Sequence, residues 1–120
     1  MKIIRSFRFA IKGIKDCFLT QVNFRIHLLL ALIAILVGIG FHISANEWMF
    51  IVFSITLVVL TEIINTTIEK LCDFIHTDRH PQVEIIKDIA AGAVLISAMA
   101  SFCAGVIIFL PKIIFYIHSF

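Results

Sequence analysis

Four polar side chains recur along one stretch of an otherwise apolar sequence. Glu62, Asn65, Glu69 and Asp73 follow one another at intervals of three, four and four residues. At about 100° per residue, this spacing places them in one sector of an α-helix. Like charges one turn apart repel each other, so a divalent cation or partial protonation must offset the repulsion. The pattern therefore indicates cation binding or proton transfer.

The composition places this polar stripe in a membrane protein. Of the 120 residues, 61% are hydrophobic and 15% are charged, and the mean hydropathy is +1.07. Soluble domains are typically about 45–50% apolar and about 25% charged. A chain this short also has too much surface to bury so much apolar material. These values argue against a soluble enzyme, a disordered chain and a nucleic-acid-binding protein.

Uncharged runs divide the chain into three expected spans. The third run can cross a hydrocarbon core of about 30 Å unaided. The second is long enough only if its helix continues past Glu62 towards His76, which brings carboxylates into the membrane zone. We predict a single all-α integral membrane domain, with an interfacial helix over residues 1–20 and membrane-spanning helices over 24–43, 48–76 and 87–111.

The basic residues predict the orientation of these spans. Six Lys and Arg residues lie before or at the start of the first span, and Lys70, Arg79 and Lys87 lie from the end of the second span to the start of the third. The link between the first two spans has none, and only Lys112 follows the third. The positive-inside rule then predicts a cytoplasmic N-terminus and an external C-terminus.

The N-terminal segment predicts an amphipathic helix. Its five cations recur at spacings of three or four residues, and Ile and Phe side chains occupy the opposite side. This pattern is typical of a helix that lies in the membrane interface. Such a helix either only anchors and orients the chain or also contacts phosphate groups of a substrate, and both interpretations stay open here.

A solvated, functionless extension of the second helix is the alternative explanation of the stripe. It is adequate for Asp73 but not for Glu62, which directly follows Thr61 and an apolar run. Ionisable groups near a bilayer are costly and usually face a bundle interior, water or a ligand. We therefore favour a functional role for Glu62, Asn65 and Glu69, and Asp73 fits both interpretations.

Lys87-Asp88 opens the third span and adds a cation on the same predicted side of the membrane. A lysine at this place could serve an anionic ligand as a point charge. Mg²⁺ prefers oxygen ligands, commonly one or two carboxylates together with phosphate oxygens. The combination suits phosphoryl transfer from a magnesium nucleotide, although the sequence contains neither a P-loop nor a protein-kinase glycine-rich loop.

Residues 62–73, Glu-Ile-Ile-Asn-Thr-Thr-Ile-Glu-Lys-Leu-Cys-Asp, closely resemble the signature of the prokaryotic diacylglycerol kinase family, which includes undecaprenol kinases. The similarity extends over nearly the whole chain, through Lys12-Gly13, residues 23–27, His80-Pro81 and Lys87-Asp88. It implies a small three-span kinase of the bacterial inner membrane, usually a homotrimer. Its active sites would lie between subunits at the cytoplasmic face and transfer the γ-phosphate of ATP to a lipid hydroxyl, with Mg²⁺.

The resemblance also implies roles for individual residues. Glu62 matches the family's proposed general base, and Glu69 matches a Mg²⁺ ligand. The positions that match the nucleotide side of the site are Asn65, Asp73, Lys87, Asp88 and Lys12. One departure is Gln21, which stands where family members commonly carry a second metal-binding Glu. An amide is a weaker Mg²⁺ ligand than a carboxylate, so the metal site is expected to be weaker or to depend more on the nucleotide.

Two segments of the sequence bear on the identity of the lipid substrate. His80-Pro81 and the run Ala90–Val94 look more like the undecaprenol kinase branch than like diacylglycerol-specific enzymes, so undecaprenol is favoured and diacylglycerol is the alternative. A small oligomeric transporter would also carry intramembrane carboxylates, but it would not need a lysine beside a carboxylate stripe on one side only. His27 is expected to be an ordinary interfacial residue.

Overall fold

The structure, a computed structural model, describes all 120 residues, and its regular elements are all helices. The four helices in chain order are α1 (Lys2–Thr20), α2 (Val22–Gly40), α3 (Ala45–Ile75) and α4 (Pro81–His118). Helices α2, α3 and α4 are each long and apolar enough to cross a membrane. The prediction of an all-helical protein with three apolar helices of spanning length is confirmed.

All three long helices differ in extent from the predicted spans, and α2 covers Val22–Gly40 rather than 24–43. Helix α3 is continuous through Glu62 and ends at Ile75; His76 is already extended, with φ −145° and ψ 110°, so it does not prolong the polar stripe. Helix α4 begins at Pro81, before the predicted start at Lys87. Proline suits a first helical position because its missing N–H would have no helical partner there. The helix then continues through Pro111 to His118.

The turn between α2 and α3 is held by local contacts. Ser44 Oγ accepts a hydrogen bond from the Glu47 backbone N–H at 3.2 Å, and Glu47 Oε1 accepts one from the Ser44 N–H at 3.0 Å. This reciprocal capping box starts α3. A Cβ atom at Gly38 would lie 2.8 Å from the indole of Trp48, so the absence of a side chain there lets Trp48 fold back onto α2.

Helices α3 and α4 form an antiparallel pair that polar contacts join at both ends and in the middle. Lys112 Nζ lies 2.6 Å from Glu47 Oε2 at one end, and Lys87 Nζ lies 2.6 Å from Asp73 Oδ1 at the other. Between them, Ser101 Oγ donates to the Ser54 carbonyl at 3.1 Å. These contacts set the register that brings the start of α4 beside the end of α3.

Most of the apolar surface faces outwards. Only 12 of the 120 residues are buried, and the compact apolar cluster of Ile43, Ile51 and Ile108 is small. An apolar groove of about 840 Å³ lies between α2, α3 and α4, with lining residues from His27 to Ile113. Apolar area on this scale is stable only when lipid or further protein covers it.

Candidate functional site

The antiparallel order of the helices gathers the predicted site residues at one end of the bundle. The start of α2, the end of α3 and the start of α4 all lie there, because short connections join successive helices. We name this region the site end; it comprises residues 21–27, 62–73 and 80–88. Residues far apart in sequence thus become neighbours through topology.

Glu62 is the most enclosed carboxylate of the site end. The residue is 4% exposed, and no hydrogen bond or ion pair within the chain reaches its carboxylate. The titratable side chains close enough to interact with it are His27 of α2 and Glu69 further along α3. Its carboxylate oxygens are not among the fully enclosed partnerless atoms, so water, a proton, a ligand or another chain can reach and satisfy them. Glu62 is therefore suited to accept a proton from a group that enters beside it.

Asn65 and Glu69 form a pair one helical turn apart. The Asn65 Nδ2 amide donates to Glu69 Oε1 at 3.2 Å. Asn65 Oδ1 is buried and has no hydrogen-bond partner. Buried polar atoms are almost always satisfied in proteins, so an unpaired oxygen calls for a ligand, water or ion. The pair therefore offers a carboxylate, which the Asn65 amide N–H contacts, and one unpaired amide oxygen.

Lys87 and Asp73 connect the two helices across the site end. Their atoms Nζ and Oδ1 lie 2.6 Å apart, and the charge of Glu69 also acts on the lysine. Asp73 therefore contacts the predicted phosphate-binding lysine directly. Asp88, the neighbour of Lys87, is exposed and makes no side-chain bond within the chain. Of the two acidic nucleotide-side candidates, the structure thus places only Asp73 in contact with Lys87.

Lys12 and Gln21 lie outside this contact network. Lys12 is exposed on α1, and its ammonium has no hydrogen bond or ion pair within the chain. Gln21 is half-buried and forms the single-residue corner between α1 and α2, with φ −112° and ψ 112°. One copy of the chain does not join Lys12 to the α3 stripe by any side-chain bond.

The donor atoms of the site end fit a cation that is shared with phosphate. No group of three His, Cys, Asp or Glu side chains is close enough to hold a metal ion. Asn65 and Glu69, which are one turn apart and hydrogen-bonded, carry an unpaired amide oxygen and a carboxylate. Mg²⁺ is commonly bound by one or two carboxylates together with substrate phosphates and water rather than by an all-protein cage. The pair could therefore hold Mg²⁺ when a nucleotide supplies further oxygens.

The structure gives His27 a position that its sequence context did not predict. It belongs to α2, yet it lies within interaction range of Glu62 on α3 and lines the apolar groove. Val58, one turn before Glu62 on the same face of α3, also lines the groove. Glu62 itself does not line the groove; it follows the lining residue Val58 by one turn on the same face of α3. Because α2 and α3 run antiparallel, the start of α2 lies at the same end of the bundle as the end of α3. This order could have predicted that His27 and Glu62 lie at the same end.

Comparison with known proteins identifies the chain's relatives. The undecaprenol kinase of Bacillus subtilis (strain 168) is 37% identical over 93% of this chain and 91% of its own length. A diacylglycerol kinase of Synechocystis is 34% identical over 93% of this chain and 65% of its length. That of Helicobacter pylori (strain 26695) is 30% identical over 79% and 74%. Since residues 8–109 also match the family description, this chain belongs to the prokaryotic diacylglycerol kinase family and is a lipid kinase.

Proposed function

We propose that this lipid kinase transfers the γ-phosphate of ATP to the hydroxyl group of undecaprenol, with Glu62 as the general base. The observation that carries the proposal is Glu62, a buried residue whose carboxylate has no partner within the chain and which follows the groove-lining residue Val58 by one turn of α3. A lipid chain in the groove would bring its terminal hydroxyl to this carboxylate. Because the chain belongs to a kinase family, a small oligomeric transporter is no longer a candidate function.

The neighbouring residues supply the charges that a phosphoryl donor needs. Lys87 would contact nucleotide phosphates, and Asp73 would hold its ammonium until they arrive, since the two are paired in the structure. Asn65 and Glu69 would hold Mg²⁺, which when bound neutralises charge on the transferring phosphate. Lys12 and Asp88 are free of partners within the chain and would complete the nucleotide contacts. Gln21 would lie near the metal and would bind it only weakly through its amide oxygen.

The oligomer and the membrane side are further parts of the proposal. A homotrimer with sites between subunits is what the family resemblance implies, and the extensive exposed apolar surface leaves area for contacts between copies as well as for lipid. The concentration of Lys and Arg near the site end supports a cytoplasmic active site in a bacterial inner membrane. The exposed Ile and Phe side chains and the cations of α1 support its placement in the membrane interface.

The choice of lipid depends on the relatives. The Bacillus subtilis enzyme matches over nearly its full length, which favours undecaprenol. The Synechocystis and Helicobacter pylori enzymes are diacylglycerol kinases, and they make diacylglycerol the second candidate. The two lipids present the same reacting group, a primary hydroxyl at the end of an apolar body, so the chemistry at Glu62 would be identical.

A competition assay tests both the reaction and the lipid. Detergent-solubilised protein receives radiolabelled ATP, Mg²⁺ and equal amounts of undecaprenol and diacylglycerol, and the labelled lipids are separated. We expect label mainly in undecaprenyl phosphate and none without Mg²⁺. Label mainly in phosphatidic acid would reassign the substrate, and no label in either lipid would refute phosphoryl transfer to both. The Glu62→Gln protein, prepared identically, controls for contaminating kinases.

Gln21→Glu should lower the Mg²⁺ concentration that gives half-maximal activity. A carboxylate binds Mg²⁺ more strongly than a neutral amide, so a side chain near the metal would add affinity. The measurement is the initial rate across a Mg²⁺ titration at saturating ATP. Gln21→Asn, which keeps an amide, is the matched control and should not lower the value. An unchanged Mg²⁺ dependence in Gln21→Glu would show that residue 21 is remote from the metal.

A further inference from the structure

We propose that Arg25 is a positioning residue that fixes the angle of α1 and thereby places Lys12 at the site end. The contact between Lys12 and the nucleotide is part of the proposed function, and the link from Arg25 to Lys12 rests on it. The holding of α1 by Arg25 is a separate claim that the structure supports directly. The sequence alone gives Arg25 no role beyond that of one of the cations that predict the orientation of the membrane spans.

The contact lies at the corner between α1 and α2. Arg25 Nη1 donates to the backbone carbonyls of Phe18 at 2.8 Å and Leu19 at 3.1 Å. Both carbonyls belong to the last turn of α1, where the helix ends because Gln21 is extended. Carbonyls in a last helical turn have no partner within the helix. The guanidinium of α2 therefore caps α1 across the corner.

Alternative supports for α1 are few. Every residue of α1 except Cys17 is exposed. The other side-chain hydrogen bonds of α1, from Ser6 and Thr20, stay within the helix, and none of the ion pairs involves it. Arg25 thus makes all the side-chain hydrogen bonds between α1 and the rest of the chain. Packing adds Cys17, which is 8% exposed, and Phe24, which is 1% exposed, on the inner side of the corner.

The chemistry of the cap suits this role. The C-terminal end of a helix carries a partial negative charge, and a cation there is favourable. Bonds from an ionised donor are stronger than neutral ones, and α1 has no basic residue of its own in its last turn. Removal of the guanidinium would leave two carbonyls at a membrane surface with only water to satisfy them. The helix would then be free to change its angle about Gln21.

A change of angle would matter at Lys12. Lys12 lies eight residues before Thr20, which at about 1.5 Å per residue is about 12 Å along the helix. A tilt of about 20° at the corner would therefore displace Lys12 by about 4 Å. That distance exceeds the reach of a hydrogen bond to phosphate. Lys12 would lose its phosphate contact although its own side chain is unaltered.

The first experiment measures the angle of α1 without any catalytic readout. Cys17 serves as the probe in a parent protein in which Cys72 and Cys103 are replaced by alanine, and its rate of maleimide labelling is measured in lipid nanodiscs. We expect Arg25→Ala to raise the labelling rate by at least about tenfold, the effect of losing one charge-assisted hydrogen bond. Thr20→Ala is the matched control, since it removes a bond within α1 only, and should label at the parent rate.

A second variant keeps this experiment decisive. Arg25→Lys retains a cation but only a single ammonium donor group, so its labelling rate should lie between those of the parent and Arg25→Ala. If Arg25→Ala fails to insert, Arg25→Lys is compared with the parent alone and should still label faster. Parent-like labelling in whichever of these variants folds would overturn the role of Arg25 in holding α1.

The second experiment is a double-mutant cycle on lipid phosphorylation. We expect Arg25→Ala to raise the KM for ATP about as much as Lys12→Ala, with a smaller effect on kcat. The double variant should be no worse than the worse single one, because both changes remove the same contact. Fully additive losses, or an unchanged KM in Arg25→Ala, would refute the link to Lys12. If the parent phosphorylates no lipid, the proposed function fails, and the labelling result still decides whether Arg25 holds α1.

Discussion

Glu62→Gln should lower kcat for lipid phosphorylation by about 10²–10⁴-fold, the usual contribution of a general base. The amide keeps the size of the side chain but cannot accept the proton of the lipid hydroxyl. Since Glu62 is buried away from the Lys87–Asp73 pair, the Kd for the nucleotide should stay close to that of the unmodified protein. The measurements are steady-state turnover with radiolabelled ATP and a titration with a fluorescent nucleotide.

Asp16→Asn is the control for the loss of one negative charge. Asp16 lies on the exposed surface of α1 and has no ion pair within the chain, so this variant should keep normal turnover. Equal losses of turnover and nucleotide binding in Glu62→Gln would argue against a base and for a role in nucleotide binding. Normal turnover in Glu62→Gln would remove Glu62 from the mechanism.

Glu69→Ala should abolish lipid phosphorylation, with a loss of at least about 10²-fold even at high Mg²⁺. The change removes the carboxylate proposed to bind Mg²⁺ and also the acceptor of the hydrogen bond from the Asn65 amide. Initial rates across a Mg²⁺ titration measure the effect. Insertion and assembly should be retained, which size-exclusion chromatography in detergent checks.

Two comparisons sharpen this second result. Glu69→Asp keeps a carboxylate on a shorter side chain, so high Mg²⁺ should restore part of its activity. Glu84→Ala removes another carboxylate, one that pairs with Arg79 outside the α3 stripe, and should leave the Mg²⁺ dependence unchanged. Near-normal turnover of Glu69→Ala would eliminate Glu69 as the metal ligand.

Local periodicity was sufficient to predict the helices and the stripe. The spacing of Glu62, Asn65 and Glu69 predicted a shared helical sector, and the structure places all three on the continuous helix α3. The shortness of the second apolar run predicted that this helix continues past Glu62, as it does. Such features depend only on neighbours along one helix, and the sequence alone contains that information.

Contacts between helices were not predictable in the same way. The position of His27 within interaction range of Glu62, the Asp73–Lys87 pair and the cap of α1 by Arg25 all depend on the angles and registers of separate helices. Those angles depend on features such as the extended Gln21 and the close packing of Trp48 on Gly38. A single residue at a corner has no periodic pattern, so its effect emerges only in three dimensions.

The unbroken course of α3 also relates its carboxylates to the thickness of the bilayer. At about 1.5 Å per residue, Glu62 lies about 26 Å beyond the start of the helix at Ala45, and Ile75 lies about 45 Å beyond it. A hydrocarbon core is about 30 Å thick. When the Ala45 end lies at one surface, Glu62 is just below the opposite surface and Asp73 is above it. Hydrophobic mismatch, which tilts a helix or deforms the lipid around it, would therefore change the depth at which a lipid hydroxyl and a water-borne nucleotide meet.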